Sequence, residues 1–150
     1  MNNKEPFSNG SFYFTFARKV KLKFSLFIPA ILWFIITTVL LVLPGPDIPS
    51  VGFLDKIYFD KWVHAGLFGG MTFLFSFPFV KKFNATKKLL IYIAIVCALY
   101  GVAMEYVQKY IAYERDFDYF DMVADGIGCI IGYFVSTFFN RRLENKNSIV

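Results

Sequence analysis

Cysteine and histidine are scarce in this chain: its 150 residues include two cysteines and one histidine. Without a CxxC pair or a Cys/His spacing, the sequence indicates neither structural zinc nor a disulfide framework. Cys97 and Cys129 each lie inside an apolar run, where cysteine ordinarily acts as a small buried apolar side chain. Patterns typical of nucleotide, haem or flavin binding, or of a nucleophile triad, are also missing. We therefore expect no cofactor and no bound metal ion.

Charged residues are almost missing from four long stretches, residues 24–43, 62–80, 89–108 and 122–140. Each has the roughly 20 residues that a helix needs to cross the ~30 Å hydrocarbon core of a membrane. These stretches raise the hydrophobic fraction to 57%, above the roughly 45–50% of an average soluble domain. A membrane β-barrel would instead show alternating segments of about ten residues. We predict an all-α membrane protein with four transmembrane helices in one compact bundle.

Lysine and arginine are unevenly distributed among the segments that flank these stretches. The amino-terminal segment, the second connection and the tail hold twelve basic and two acidic residues, whereas the first and third connections hold four basic and seven acidic residues. Because short cytoplasmic loops are enriched in Lys and Arg, we predict that both termini are cytoplasmic. The chain then divides into a basic and aromatic segment 1–23, a membrane domain 24–140 and a cytoplasmic tail 141–150. The positive charge faces anionic lipid headgroups, so membrane lipids are expected partners and nucleic acid is not.

Three ionisable residues, His64, Glu105 and Asp125, interrupt the apolar stretches. An ionisable group at the centre of a membrane helix costs roughly 2.5–3.5 kcal/mol on insertion scales. At a rise of about 1.5 Å per residue, each of the three lies only ~5–6 Å inside the outer end of its helix. We therefore expect all three near the outer membrane face, where they are the strongest candidates for a functional role.

Other polar residues share helix faces with these three, or lie in the loop between the third and fourth helices. Residues three or four apart lie on the same face of a helix. The complete set of candidates for binding has nine members: Asp60, Lys61, His64, Glu105, Gln108, Arg115, Asp118, Asp121 and Asp125.

Two small-xxx-small pairs, Gly66 with Gly70 and Gly128 with Gly132, occur in the second and fourth stretches. Such pairs allow the backbones of two membrane helices to approach closely. They predict a contact between the second and fourth helices.

In their order along the chain, these residues resemble the VanZ-like family of small bacterial membrane proteins. The family pattern has an Asp-Lys-x-x-His at the second helix, a Glu-x-x-Gln at the third, then Arg, Asp and a fourth-helix Asp-x-x-x-Asn/Asp-x-x-Gly. The matching segments are Leu43-Pro44-Gly45, Phe59-Asp60-Lys61-Trp62-Val63-His64 with Phe68, Glu105-Tyr106-Val107-Gln108, Arg115, Asp118, Asp121 and Asp125-Gly126-Ile127-Gly128 with Gly132. The chain departs from the pattern at Asp125, where the family often has Asn.

The resemblance implies a multi-pass protein of the bacterial cytoplasmic membrane with a role in the cell envelope. The family's namesake is linked to low-level resistance to the glycopeptide teicoplanin, a task that we do not carry over to this chain. We expect an outward-facing polar pocket that binds a lipid headgroup, an envelope precursor or a glycopeptide. In that pocket Lys61 and Arg115 would act as anion partners.

Two other hypotheses are open at this point. The first is a membrane-surface enzyme acting on an envelope lipid, with His64 and Glu105 as general base and acid. In a variant of this hypothesis, the same two residues ligate a divalent metal ion together with Asp121 and Asp125. The second is a purely structural polar network that holds the helices together.

Overall fold

The computed structural model describes residues 24–43, 58–83, 85–111 and 117–147, and this part of the chain is helical without a strand. A short 3₁₀ turn, Phe24–Leu26, precedes four α-helices. The α-helices are α1 Ile28–Val42, α2 Phe59–Phe83, α3 Lys87–Ile111 and α4 Tyr119–Asn147. The predicted amino-terminal segment 1–23, the Pro44-Gly45 turn and Arg115 lie outside the described residues.

Three of the helices are long and apolar enough to cross a membrane, namely Phe59–Lys82, Lys87–Tyr110 and Tyr119–Asn145. They extend past the predicted stretches because their polar ends continue the helix beyond the apolar run. The fourth helix, for example, runs through Asn147 and so into the segment predicted as a tail.

The first helix is shorter than the predicted 24–43, since α1 begins only at Ile28 and has 15 residues. Pro29 accounts for this start, because proline donates no backbone N–H and its ring would clash with the carbonyl one turn earlier in a helix that began at Phe24. In the first turn of α1 the missing N–H costs nothing. The preceding residues form the 3₁₀ turn instead.

The four α-helices run up and down, so that α1 and α3 end where α2 and α4 begin. At that end the Gln108 side chain of α3 donates to the carbonyl of Leu41 at the end of α1, over 2.9 Å. At the opposite end Asn140 of α4 donates to the carbonyl of Ala85 before α3, over 3.1 Å. Each residue near the start of α2 or α4 is therefore brought to the same end of the bundle as the last turns of α3.

The predicted contact between the second and fourth helices is confirmed, and α4 packs most extensively on α2. Gly128 and Gly132 take part as expected, since a Cβ on Gly128 would lie 2.9 Å from the Cα of Ala65. The prediction that Gly66 and Gly70 form the α2 side of this contact was wrong. The α2 residues at the contact are Ala65, Gly69 and Thr72. Gly66 has nothing within 4 Å of an added Cβ, and Gly70 instead accommodates the indole ring of Trp33.

The core of the bundle is apolar and includes both cysteines. Its buried members are Leu41, Leu67, Phe68, Met71, Cys97, Met104 and Cys129. The two cysteines are free and buried, as their positions in apolar runs predict. Large apolar side chains such as Leu99 and Phe134 are more than 60% exposed on the outside of the bundle. Surfaces of this kind are unfavourable in water and suit a helix bundle surrounded by lipid.

Candidate functional site

Seven ionisable side chains meet at the end of the bundle where α2 and α4 begin and α3 ends. They form two adjoining groups, which we call the lysine cluster and the histidine cluster. The lysine cluster consists of Lys61 with Asp60, Asp118 and Asp121, and the histidine cluster consists of His64, Glu105 and Asp125. The structure thus brings together seven of the nine sequence-predicted site residues.

In the lysine cluster one ammonium group serves three carboxylates. Lys61 Nζ lies 2.8 Å from Asp60 Oδ2 and 2.6 Å from Asp121 Oδ1, and it also contacts Asp118 Oδ2. An ammonium group has three N–H donors, so each carboxylate is matched by one of them. All three donors of Lys61 are thus matched by carboxylates, and its role as an anion partner stays a prediction.

Asp118 connects the lysine cluster to the start of α4. Its Oδ1 accepts a hydrogen bond of 2.8 Å from the backbone N–H of Phe120, which is the bond of an N-cap residue. Its own backbone N–H donates to Glu105 Oε2 over 3.2 Å. The hydrogen bond from the Lys61 ammonium lowers the pKa of the Asp118 carboxyl below its ordinary value. One short segment thereby links α2, α3 and α4.

The histidine cluster is buried, with exposed fractions of 5% for His64 and 1% for both Glu105 and Asp125. His64 Nδ1 lies 2.9 Å from Asp125 Oδ1, at hydrogen-bond distance, and His64 Nε2 lies 3.8 Å from Asp121 Oδ2. One ligand atom from each of the three residues lies within 4.8 Å of the others. The second oxygen of Asp125, Oδ2, is buried without a hydrogen-bond partner among the described residues.

Among the described residues of the two clusters, carboxylates outnumber cationic groups. Five carboxylates meet one ammonium group and one imidazole, and the ammonium is already shared by the three carboxylates of its own cluster. Burying a carboxylate without a matched donor or cation is costly. The site is therefore suited to a ligand that supplies positive charge or hydrogen-bond donors, and a simple anion fits it poorly.

Gly101 is also part of the site, although it is not among the nine residues predicted from the sequence. A Cβ at this position would lie 2.7 Å from Asp125 Oδ2 and 3.1 Å from the ring of Phe68. Only glycine leaves room for the Asp125 carboxylate against α3. The signal in the sequence was a glycine four residues before Glu105, which places both on one face of α3.

The two remaining candidates differ in status. The side chain of Gln108 is buried and donates to the last turn of α1, where helix carbonyls lack intrahelical partners. This contact gives Gln108 a role in joining α1 to α3. Arg115 lies outside the described residues.

An apolar groove of about 280 Å³ lies along the bundle, and none of the seven cluster residues lines it. Its lining comes from α1, α2 and α3 and consists of Phe34, Met71, Phe75, Phe79, Tyr92, Ile93, Val96, Cys97 and Tyr100. Tyr100 is the neighbour of Gly101, so the groove and the histidine cluster adjoin at this point of α3. The sequence contained no signal for this groove, because its lining is spread over three helices.

No protein-family model matches the chain, and no curated protein or solved structure is similar to it. The VanZ-like resemblance therefore stays a prediction from the ordered motif. The geometry of the two clusters and the membrane character of the helices are the observations that bear on function.

Proposed function

We propose that the chain is a VanZ-like, multi-pass protein of the bacterial cytoplasmic membrane that binds the polar head of an envelope lipid or lipid-linked precursor. The head would bind at the lysine and histidine clusters. The observation that carries the proposal is that five carboxylates meet one ammonium group and one imidazole among the described residues at this end of the bundle, where the buried Asp125 Oδ2 has no hydrogen-bond partner. It favours a head that carries amine or hydroxyl donors, as an ethanolamine lipid, an amino-sugar precursor or a glycopeptide does.

The placement of the site near a membrane surface is supported by the aromatic residues around it. Tyr58, Trp62, Tyr110 and Tyr119 are each about 70% exposed at this end of the bundle. Tyr and Trp favour the membrane–water interface. A ligand with its head in the clusters would thus lie at the level of the surrounding lipid heads.

The proposed orientation is supported by the charge at the opposite end of the bundle. Exposed basic residues gather there at the end of α2, the start of α3 and the end of α4: Lys81, Lys82, Lys87, Lys88, Arg141 and Arg142. By the positive-inside rule, these residues support a cytoplasmic location for that end and a non-cytoplasmic location for the clusters. With 15 α-helical residues and a 3₁₀ turn of three, the first helical segment measures about 28 Å, a length that supports the proposal of a fourth crossing.

The apolar groove supports a ligand that carries a lipid chain. It is lined by α1, α2 and α3, and its lining residue Tyr100 is next to Gly101, against which the Asp125 carboxylate lies. A chain in the groove would keep the head of the same molecule close to the clusters. The proposal therefore combines a polar head site with an apolar chain site.

A lipid-binding measurement tests this function. The purified protein, kept in EDTA, is titrated with phosphatidylethanolamine, phosphatidylglycerol and teicoplanin, and binding is followed by native mass spectrometry. We expect an amine-bearing probe to bind more tightly than phosphatidylglycerol. A hydrogen bond to a charged group contributes roughly 1.5–3 kcal/mol, so Glu105→Gln should weaken that binding about tenfold or more.

The matched control is Glu144→Gln, the same chemical change at the opposite end of the bundle, where Glu144 accepts a hydrogen bond from Asn140. This variant should bind like the wild type. Equal binding of all three probes by the wild type, or equal loss in both glutamine variants, would contradict the proposal. A Glu105→Gln protein that loses thermal stability but no binding would instead support the structural network.

An enzymatic role is favoured by one specific contact, the hydrogen bond between His64 and Asp125. A carboxylate that accepts from Nδ1 holds the imidazole with Nε2 free to take a proton, as a general base requires. Glu105 lies close enough to serve as the acid. Hydrolysis of an envelope lipid by water would then be detected as a new product by mass spectrometry, and it should disappear in His64→Gln.

A further inference from the structure

We infer that the histidine cluster is a binding site for one divalent transition-metal ion of the Zn²⁺ or Mn²⁺ class, with His64, Glu105 and Asp125 as its protein ligands. This inference goes beyond lipid binding and replaces the expectation that no metal ion is bound. It does not depend on the identity of any lipid ligand.

The three ligand atoms are already close to the spacing that a single ion requires. One atom from each residue lies within 4.8 Å of the other two. In a tetrahedral site with bonds of ~2.0–2.2 Å, neighbouring ligand atoms are about 3.4 Å apart, so side-chain shifts of about 1 Å would complete the site. The ligands come from α2, α3 and α4, so the ion would join three helices.

The lysine cluster differs from the histidine cluster because it contains its own cation. Asp60, Asp118 and Asp121 meet the same spacing, but Lys61 Nζ contacts all three and already supplies their positive charge. In the histidine cluster, the described residues provide no cation apart from the imidazole of His64 itself. A bound ion would play there the part that Lys61 plays in its neighbour.

Asp125 provides a second, independent observation. Its exposed fraction is 1%, and its Oδ1 is paired with His64. Its Oδ2 has no hydrogen-bond partner in the described part of the chain and faces α3 at Gly101, one turn from Glu105. A buried carboxylate oxygen without a partner is costly, and a metal ion between Asp125 and Glu105 would remove that cost.

The donor set indicates the class of ion. Imidazole nitrogen suits Zn²⁺ and other first-row transition metals, and carboxylate oxygen suits Mn²⁺ as well. Mg²⁺ and Ca²⁺ prefer sites made entirely of oxygen atoms. Three protein ligands leave a position open for water or for an atom of a bound molecule.

The experiment uses the full chain without a histidine tag, purified in detergent, stripped with EDTA and titrated with Zn²⁺, Mn²⁺ or Mg²⁺ alone. We expect one Zn²⁺ or Mn²⁺ per chain by elemental analysis, a rise in Tm with ion concentration, and no such rise with Mg²⁺. Because His64 is the one histidine of the chain, its imidazole NMR signals report directly on the site without any substitution. These signals should shift on addition of Zn²⁺.

Substitution supplies the second arm of the test. Asp125→Asn and Glu105→Gln should lower metal binding by at least tenfold, whereas Glu144→Gln should leave it unchanged. If the two site variants fail to fold, the His64 signals of the wild type decide the question alone. Far less than one ion per chain in the wild type, or unmoved His64 signals, would overturn the inference. Since the lipid titration is made in EDTA and the metal titration without lipid, either proposal can fail while the other stands.

Discussion

The contact between α2 and α4 makes opposite predictions for two glycines of the same helix. A Cβ on Gly128 would lie 2.9 Å from both the Cα and the carbonyl carbon of Ala65, whereas a Cβ on Gly126 has nothing within 4 Å. Ordinary contacts of this kind are 3.4–4 Å. The atoms in the way belong to the backbone, so Gly128→Ala can be accommodated only if the two helices move apart.

The effect of each alanine substitution on the free energy of unfolding has two contributions. Glycine to alanine gains about 1 kcal/mol of helix propensity at either position. Overpacking typically costs 1–3 kcal/mol, and a gap of about 0.5–1 Å opened along the rest of the contact loses a quarter to a half of its dispersion energy. We therefore expect Gly126→Ala to stabilise the protein slightly and Gly128→Ala to be less stable than Gly126→Ala by about 2–3 kcal/mol.

The same movement should disturb the site, because His64 precedes Ala65 on α2 and faces Asp125 on α4 across this contact. Separation of the helices would lengthen the 2.9 Å distance between His64 Nδ1 and Asp125 Oδ1. The assay is equilibrium unfolding in mixed micelles, together with the His64 imidazole NMR signals of each variant. Equal stability of the two alanine variants, with unchanged His64 signals in both, would refute this account of the packing.

Three further predictions concern single side chains. Lys61→Met removes the ammonium group that three carboxylates share, and it should lower the free energy of unfolding by about 2–3 kcal/mol after allowance for the 20% exposure of Lys61. The control Lys88→Met, at an exposed position at the other end of the bundle, should have almost no effect. Equal melting temperatures of the two variants would contradict this prediction. Because Asp118 has a lowered pKa when folded, its ionised form stabilises the protein above the unfolded pKa near 4, and that stability is lost as the pH falls through the folded pKa. Asp118→Asn should therefore show a flatter fall of Tm below about pH 4 than the wild type, and parallel curves would contradict this. Trp33→Phe loses a 2.9 Å hydrogen bond to a backbone carbonyl of α2 and should cost about 1 kcal/mol in urea unfolding, whereas Trp62→Phe, at a position 71% exposed, should be neutral.

Much of the site could be predicted because helix direction alternates along the chain. Once four apolar stretches are identified, residues near the start of the second and fourth helices must lie at the same end as those finishing the third. For this reason the sequence predicts that His64, Glu105 and Asp125 lie at one end of the bundle, without any knowledge of the packing. The surroundings of Lys61 could not be predicted in the same way, because a sequence does not reveal how many carboxylates share one ammonium group.

The residue spacing alone could not predict which residues of α2 contact α4. Glycines four residues apart predict that a helix can approach a neighbour closely, but the rotation of each helix about its own axis decides which glycines do so. On α4 the predicted pair is the one in contact, whereas on α2 the contact is formed by Ala65 and Gly69, and Gly70 packs on Trp33. The same rotation creates the space beside Gly101 for Asp125.

The sequence by itself determined the helical class, the membrane character of the long helices and the end of the bundle where the ionisable residues gather. These follow from the length of apolar runs and from the positions of charges along single helices, which are local properties of the chain. Only the tertiary structure decided the division into a lysine cluster with its own ammonium group and a buried histidine cluster to which the described residues bring no lysine or arginine. That division depends on distances of a few ångströms between three helices, and these are set by how closely and at what rotation the helices pack.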